Sequence, residues 1–238
     1  MFRIFVIAII LVPIAAFAYE KTIEEKAALE SCKIMFEKLD AKGFDFCTPL
    51  AEKGDVEAQN ILGHLFYMGV GGPANKDYKK TVIWWKRAAV QGDAEAKYNL
   101  AILYEKGIGV EMDYNRAYKW YLSSAKDGNA NAQFNVANMY AKGAGVAVSL
   151  TAAYKWYKSA AEQGVKEAQY NVANRYAKGR GVSVDLVEAY KWYMILEEDG
   201  DVDAASSRLL LDKELSGFEK IDAKKRADKW KRKYAAKR

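Results

Sequence analysis

The chain has 238 residues, 51% hydrophobic and 29% charged, which excludes wholesale disorder and is enough for a sizeable core. One histidine, His64, excludes any catalytic or metal site needing two histidines from one chain, and two cysteines exclude a four-thiolate site. The formal charge of +6 is a mild excess whose placement matters more than its size.

Arg3 opens the chain as a short positive region, and residues 4–17 follow as an almost unbroken apolar run. Ala16-Phe17-Ala18 then supplies small residues at the −3 and −1 positions of a cleavage site. This pattern predicts a secretory signal peptide over 1–18, cut after Ala18. A transmembrane anchor fits less well, because a span needs about 20 apolar residues and Pro13 interrupts this run. The mature chain, 19–238, is therefore expected to be periplasmic or secreted.

Residues 22–40 are predicted to form a helix, and 44–53 a second one. Cys32 lies on the first and Cys47 on the second. In an exported protein the two are expected to form a disulfide, worth roughly 3 kcal/mol in the chain-entropy model. No C-x-x-C pattern points to redox chemistry instead.

Beyond this segment the chain repeats itself. Gly54, Gly92, Gly128, Gly164 and Gly200 stand 38, 36, 36 and 36 residues apart. The units between them, 54–91, 92–127, 128–163 and 164–199, align throughout. The first carries two extra residues around Gly72-Pro73, a lengthened turn. Each unit reads as two helices. In the second unit Ala96, Leu100, Leu103 and Tyr104 share one helical face, and Ala117, Trp120 and Ser124 share another. Between the two lies Gly-x-Gly, as in Gly107 and Gly109, where the first glycine is predicted to end a helix in the left-handed conformation. Recurrent alanines (Ala58, Ala96, Ala132, Ala168) allow close approach, and Trp84, Trp120, Trp156 and Trp192 fill the space between helix pairs. One hairpin cannot bury both of its faces, whereas stacked hairpins can.

The pattern A-x-x-x-L-A/G-x-x-Y-x-x-G-x-G-V followed by A-Y-K-W-Y-x-x-A-A-x-x-G resembles the Sel-one-like repeat (SLR) family, over four consecutive units covering about 54–199. The resemblance implies an all-α, right-handed α/α superhelical solenoid related to tetratricopeptide repeats. It also implies a protein–protein interaction scaffold whose first helices line a concave groove. Residues 19–53 then read as an N-terminal cap, a degenerate unit in which Phe46 stands where Trp84 stands. Residues 200–238 read as a C-terminal cap. Leu196-Glu197 replace the small pair found at Ala88-Ala89 and Ala160-Ala161, so the fourth unit is expected to meet a different neighbour.

The candidate groove residues are those left over by the core periodicity. Asn99, Asn135 and Asn171 recur at one place. Asn138 and Asn174 recur three residues later, where the other units have His64 and Ile102. Amides donate and accept, so a ladder of them suits an extended peptide backbone; the regularly recurring Asn also suits bonding between helices. Arg175 adds a positive charge, and Glu105 also falls near this face. Most of the 31 aromatics recur at packing positions. Trp85 differs, since Tyr occupies its place in later units; one end of it is expected to be wet, which raises carbohydrate recognition as a minor reading.

From Lys220 to Arg238 there are ten Lys/Arg against two Asp. Ala223, Ala227, Trp230 and Tyr234 form one narrow apolar stripe there. This segment is expected to cap the last unit through Trp230. Its cations Lys224, Lys225, Arg226, Lys229, Lys231, Arg232 and Lys233 are candidate contacts for an anionic membrane or envelope surface.

The residues thus favour a non-enzymatic, exported scaffold that binds a protein or peptide partner. No catalytic, cofactor-binding or metal-binding residues are assigned. Two carboxylates would suffice for a glycosidase, but Asp and Glu here sit at helix starts and solvated positions. An immunity protein neutralising a secreted toxin and a membrane-surface tether are the alternatives. Nucleic acid is not expected outside the cytoplasm, and a monomer is the expected state.

Overall fold

The computed structural model describes residues 21–235. The predicted signal segment, its cleavage position after Ala18, and residues 236–238 lie outside the described residues. Among the described residues there are twelve α-helices and no strand. They are α1 (Ile23–Glu37), α2 (Gly43–Glu52), α3 (Val56–Met68), α4 (Tyr78–Val90), α5 (Ala94–Lys106) and α6 (Tyr114–Lys126). There follow α7 (Ala130–Lys142), α8 (Leu150–Glu162), α9 (Lys166–Lys178), α10 (Leu186–Glu198), α11 (Val202–Leu211) and α12 (Gly217–Ala235). The chain is an all-α repeat solenoid, each helix up to α11 packing on the next.

The repeat is written in the helix ends. Side chains of Asp55, Asp93 and Asn129 accept from the backbone N–H three residues on and start the first helices. Asp77, Asp113, Ser149 and Asp185 start the second helices in the same way. Val165 has the cap backbone conformation of its counterparts, φ −69° and ψ 110°, but no side-chain oxygen to donate to. Each first helix stops at a left-handed glycine: Gly69, Gly107, Gly143 or Gly179. The second glycine of the motif serves another purpose. A Cβ on Gly145 would lie 2.1 Å from the carbonyl oxygen of Tyr114 in the preceding unit, so only glycine permits that approach.

Between units, Ala58, Ala96, Ala132 and Ala168 are wholly buried, and so is Ala204, one repeat step further. Helix α11 is thus the first helix of an incomplete fifth unit. A second tie repeats with the same step. The hydroxyls of Tyr118 and Tyr140 are 2.7 Å apart, and those of Tyr154 and Tyr176 are 2.6 Å apart. At the equivalent place in the fifth unit, Tyr190 donates to Asp212 at 2.8 Å.

The extra residues of the first unit form a turn of 3₁₀-helix, Pro73–Asn75. At the N-terminus, Cys32 and Cys47 lie at disulfide-bonding distance, both fully buried, joining α1 to α2. Phe46, aligned with Trp84, is 39% exposed where Trp84 is 9% exposed; Cys47, Leu50 and Ala51 carry the burial of α2 instead.

The C-terminal end departs from the repeat. Helix α12 packs on α10 rather than pairing with α11. Trp230 meets Trp192 edge to face, with ring centroids 5.4 Å apart, and stacks on Tyr234. Arg226 pairs with Glu188 and Asp222, and Lys231 pairs with Glu198. Leu196 is fully buried, and Glu197 pairs with Arg208 of α11. The large residues at the usual small pair therefore fill and lock a junction found nowhere else among the described residues.

Candidate interaction surface

The first helices α3, α5, α7 and α9 bury one side and leave the opposite side to the groove candidates. His64, Asn99, Asn135, Asn138, Asn171 and Asn174 are all half-buried, held on helices whose other faces are fixed in the core. His64 and Asn99 meet across neighbouring units, their nitrogens 3.4 Å apart. His64 also lies 3.2 Å from Glu95 and packs its ring edge-on to Trp85. The hydrogen bond with His64 holds the Glu95 carboxyl below the usual carboxylate range, against the opposing effect of its burial.

The recurrent asparagines do not repeat their bonding. Asn171 and Asn174 donate to Glu167 and Tyr170, carbonyls of their own helix, at 2.8 and 3.2 Å. Asn138 accepts from the Tyr157 hydroxyl. In the second unit, at the neighbouring place, Glu105 accepts from Tyr121 at 2.7 Å. Burial, with Glu105 second, pushes the Tyr121 hydroxyl far up its titration range, so it remains a donor. This face is hence a row of oriented amide, carboxylate and imidazole groups rather than one uniform ladder.

Arg175 is more deeply placed than a groove residue should be, being 8% exposed. The structure also corrects the expectation for Trp85. It is 3% exposed, and its indole N–H donates to the carbonyl of Asn60 at 3.2 Å, so neither end is wet. The space comes from Gly63, which stands where later units have Ala101, Ala137 and Ala173. A Cβ there would lie 2.4 Å from the indole. A buried Trp85 offers no sugar platform.

On α12, Arg226 and Lys231 are engaged in the ion pairs with α10 described above. Lys224, Lys225, Lys229, Arg232 and Lys233 are exposed and form no ion pair among the described residues.

One set of polar residues escaped the sequence reading. The amides of Gln59, Gln133 and Gln169 are buried and donate to Ala51, Ala125 and Ala161, carbonyls of the preceding second helix. Gln91 and Gln163 then donate to Gln59 and Gln133 at 2.8 Å. The second unit substitutes Lys97 and Asp127, an ion pair at 2.5 Å. In the fourth unit Gln169 faces the place of Asp199, which has no N–H to give, and its Oε1 is left without a partner. The signal was a Gln recurring at a buried helical position, a residue seldom buried unless bonded.

The Sel1 repeat family model matches the chain at 56–93, 94–129, 130–165 and 166–193. The chain belongs to the Sel1 repeat family. Among solved structures it is similar to c5321, a protective antigen present in uropathogenic Escherichia coli strains displaying an SLR fold. That match has a TM-score of 0.75 and 29% identity over 90% of this chain. The chain spans only 46% of c5321. A Sel1 repeat protein from Oxalobacter formigenes is similar at TM-score 0.69 and 29% identity, over 76% of this chain and 74% of that one. A search of curated proteins gives no match. Sel1 repeat proteins are in general non-catalytic scaffolds that bind other proteins.

Proposed function

We propose that this Sel1 repeat protein is an exported scaffold that holds a protein or peptide partner along the polar face of α3, α5, α7 and α9, with no chemistry performed on it. The observation that carries this reading is the row His64, Asn99, Asn135, Asn138, Asn171 and Asn174. These are half-buried polar side chains projecting from helices that are rigid because their opposite faces are packed. Such a surface positions donors and acceptors at low entropic cost, which is what recognition of an extended chain requires. Export is supported by the signal-like residues 1–18 and by the buried Cys32–Cys47 pair, which suits an oxidising compartment.

The test is capture from a cell-envelope extract by the purified protein and by a His64→Ala/Asn138→Ala/Asn174→Ala variant. The expected result is one protein retained by the parent and lost by the variant, with cooperative unfolding unchanged. Equal retention by both would move recognition off this face. Substitution is preferred to removing α12, because α12 covers α10 and its loss would expose that surface.

A second reading rests on the exposed cations of α12. Lys225, Lys229 and Arg232 fall on one helical face, as expected of a helix lying on an anionic surface. Liposome binding abolished by their replacement with Gln would favour it.

A further inference from the structure

The fourth unit breaks its own rule at two places. Where Arg175 stands, the earlier units have Leu65, Leu103 and Met139, all buried. Where Arg180 stands, they have Val70, Ile108 and Ala144, all packed against the core. Two apolar positions have become arginines five residues apart.

The consequences for Arg175 are unusual. Its guanidinium lies over the Tyr157 ring at 4.8 Å, and Nη1 donates to the carbonyls of Leu150 and Arg180 at 3.4 and 3.1 Å. Its Nε has no hydrogen-bond partner. No carboxylate pairs with Arg175, Lys178 or Arg180 among the described residues, although the protein pairs Arg208 and Arg226 with two or more acids each. A buried cation without a counter-charge costs stability, and the other three units show that the fold does not need it. Together with Tyr170, Asn171 and Asn174, these cations line a cavity of about 340 Å³ that opens on the same face as the amide row.

We infer that this cavity is the charge-selective subsite of the groove, and that its occupant is an acidic stretch of an extended partner peptide, carrying Asp or Glu side chains at neighbouring positions. Three cations within six residues call for more than the single charge of a chain terminus, so side-chain carboxylates are the matching ligand. Arg175 supplies planar donors from the floor. Lys178 and Arg180, both exposed, supply mobile charge at the rim. The carbonyl oxygens of Asn171 and Asn174, whose N–H groups are turned to their own helix, remain to accept peptide N–H. The inference rests on the scaffold reading above and adds the partner's chemistry to it.

The earlier units supply the substitutions for the test. Arg175→Met and Arg180→Ala install the residues that the third unit carries at those places. Fluorescence anisotropy would compare the full chain with R175M/R180A, using a labelled Asp/Glu-rich peptide with an amidated C-terminus. A Gln/Asn-rich peptide of equal length with a free C-terminal carboxylate is the second probe. The expected result is binding of the acidic peptide that weakens with salt and falls about tenfold or more in the double variant. The Gln/Asn-rich peptide, with only its terminal carboxylate, should bind no better than background. Equal binding of both peptides, unchanged binding by R175M/R180A, or no binding of the acidic peptide overturns the inference. The thermal midpoint of R175M/R180A should equal or exceed that of the parent; a lower midpoint with peptide binding retained would make Arg175 a structural tie and also overturn it. Envelope capture that survives in R175M/R180A while H64A/N138A/N174A loses it leaves the scaffold reading standing without this subsite.

Discussion

The indole of Trp85 occupies the space that the missing side chain of Gly63 leaves open, a Cβ at Gly63 being placed 2.4 Å from the ring. The equivalent pairs in later units are Ala101 with Tyr121, Ala137 with Tyr157 and Ala173 with Tyr193. Volume removed from one helix is returned by the other. Gly63→Ala should therefore destabilise the protein by about 1–3 kcal/mol through overpacking. Combining it with Trp85→Tyr should recover most of the loss. Urea unfolding of the two single variants and the double variant measures the coupling; additive effects would refute it.

The fourth unit lacks the side-chain cap that the other first helices have at Val165's position. Val165→Asp should satisfy an N–H at the start of α9 and add about 1 kcal/mol, less the apolar contact that Val165 makes with the core. A raised thermal midpoint checks this, and an unchanged one would mean that the packing of Val165 equals the cap in worth.

The orphaned Oε1 of Gln169 offers a second repair. Asp199→Gln would recreate the amide pair seen at Gln91–Gln59 and Gln163–Gln133. The exposed Lys166–Asp199 pair that it removes contributes little. The expected gain is about 1 kcal/mol in chemical denaturation.

Acid should loosen α12 first. Burial raises the Glu188 carboxyl, but Lys191 and Arg226 outweigh it and hold that group below the usual carboxylate range. A carboxylate depressed in the folded state contributes stability above its unfolded value, about 4.3, and loses it as pH falls through the lower folded value. Protection of the α12 amides against hydrogen exchange should therefore fall below about pH 4, ahead of the central units. Glu188→Gln should make α12 exchange faster at neutral pH and remove much of that acid dependence.

Reduction of the Cys32–Cys47 pair should cost roughly 3 kcal/mol and act on α1 and α2. Proteolysis confined to the first 50 or so residues after reduction would show this; uniform cleavage along the chain would show that the disulfide stabilises more than the cap.

Most of the candidate surface was legible as positions but not as bonds. Asn99, Asn135 and Asn171 fall at one place in the repeat, yet Asn99 turns to His64 and Asn171 to its own helix. Sequence spacing assigns a face; the choice between a neighbouring helix and a helix's own carbonyl depends on which residue the next unit presents. Arg175 was visible as a charge. Its burial was not, because a cation on a helix is ordinarily solvated, and only the packing of α8 against α9 encloses it.

The sequence by itself determined the helices, their ends and the order of stacking. Those depend on local chemistry: side-chain caps at Asp93 and Asp113, glycine at Gly107, and alanine and aromatic residues at a fixed period, each unit meeting only its neighbours. The sequence also marked residues 200–238 as a cap carried by Trp230; the tertiary structure alone decided which surface that cap covers. Helix α12 turns back onto α10 because Trp230 finds Trp192 and Arg226 finds Glu188, 38 residues away in the chain. No local period encodes such contacts; they arise because the fifth unit supplies only its first helix, α11, and leaves part of α10 for α12 to cover.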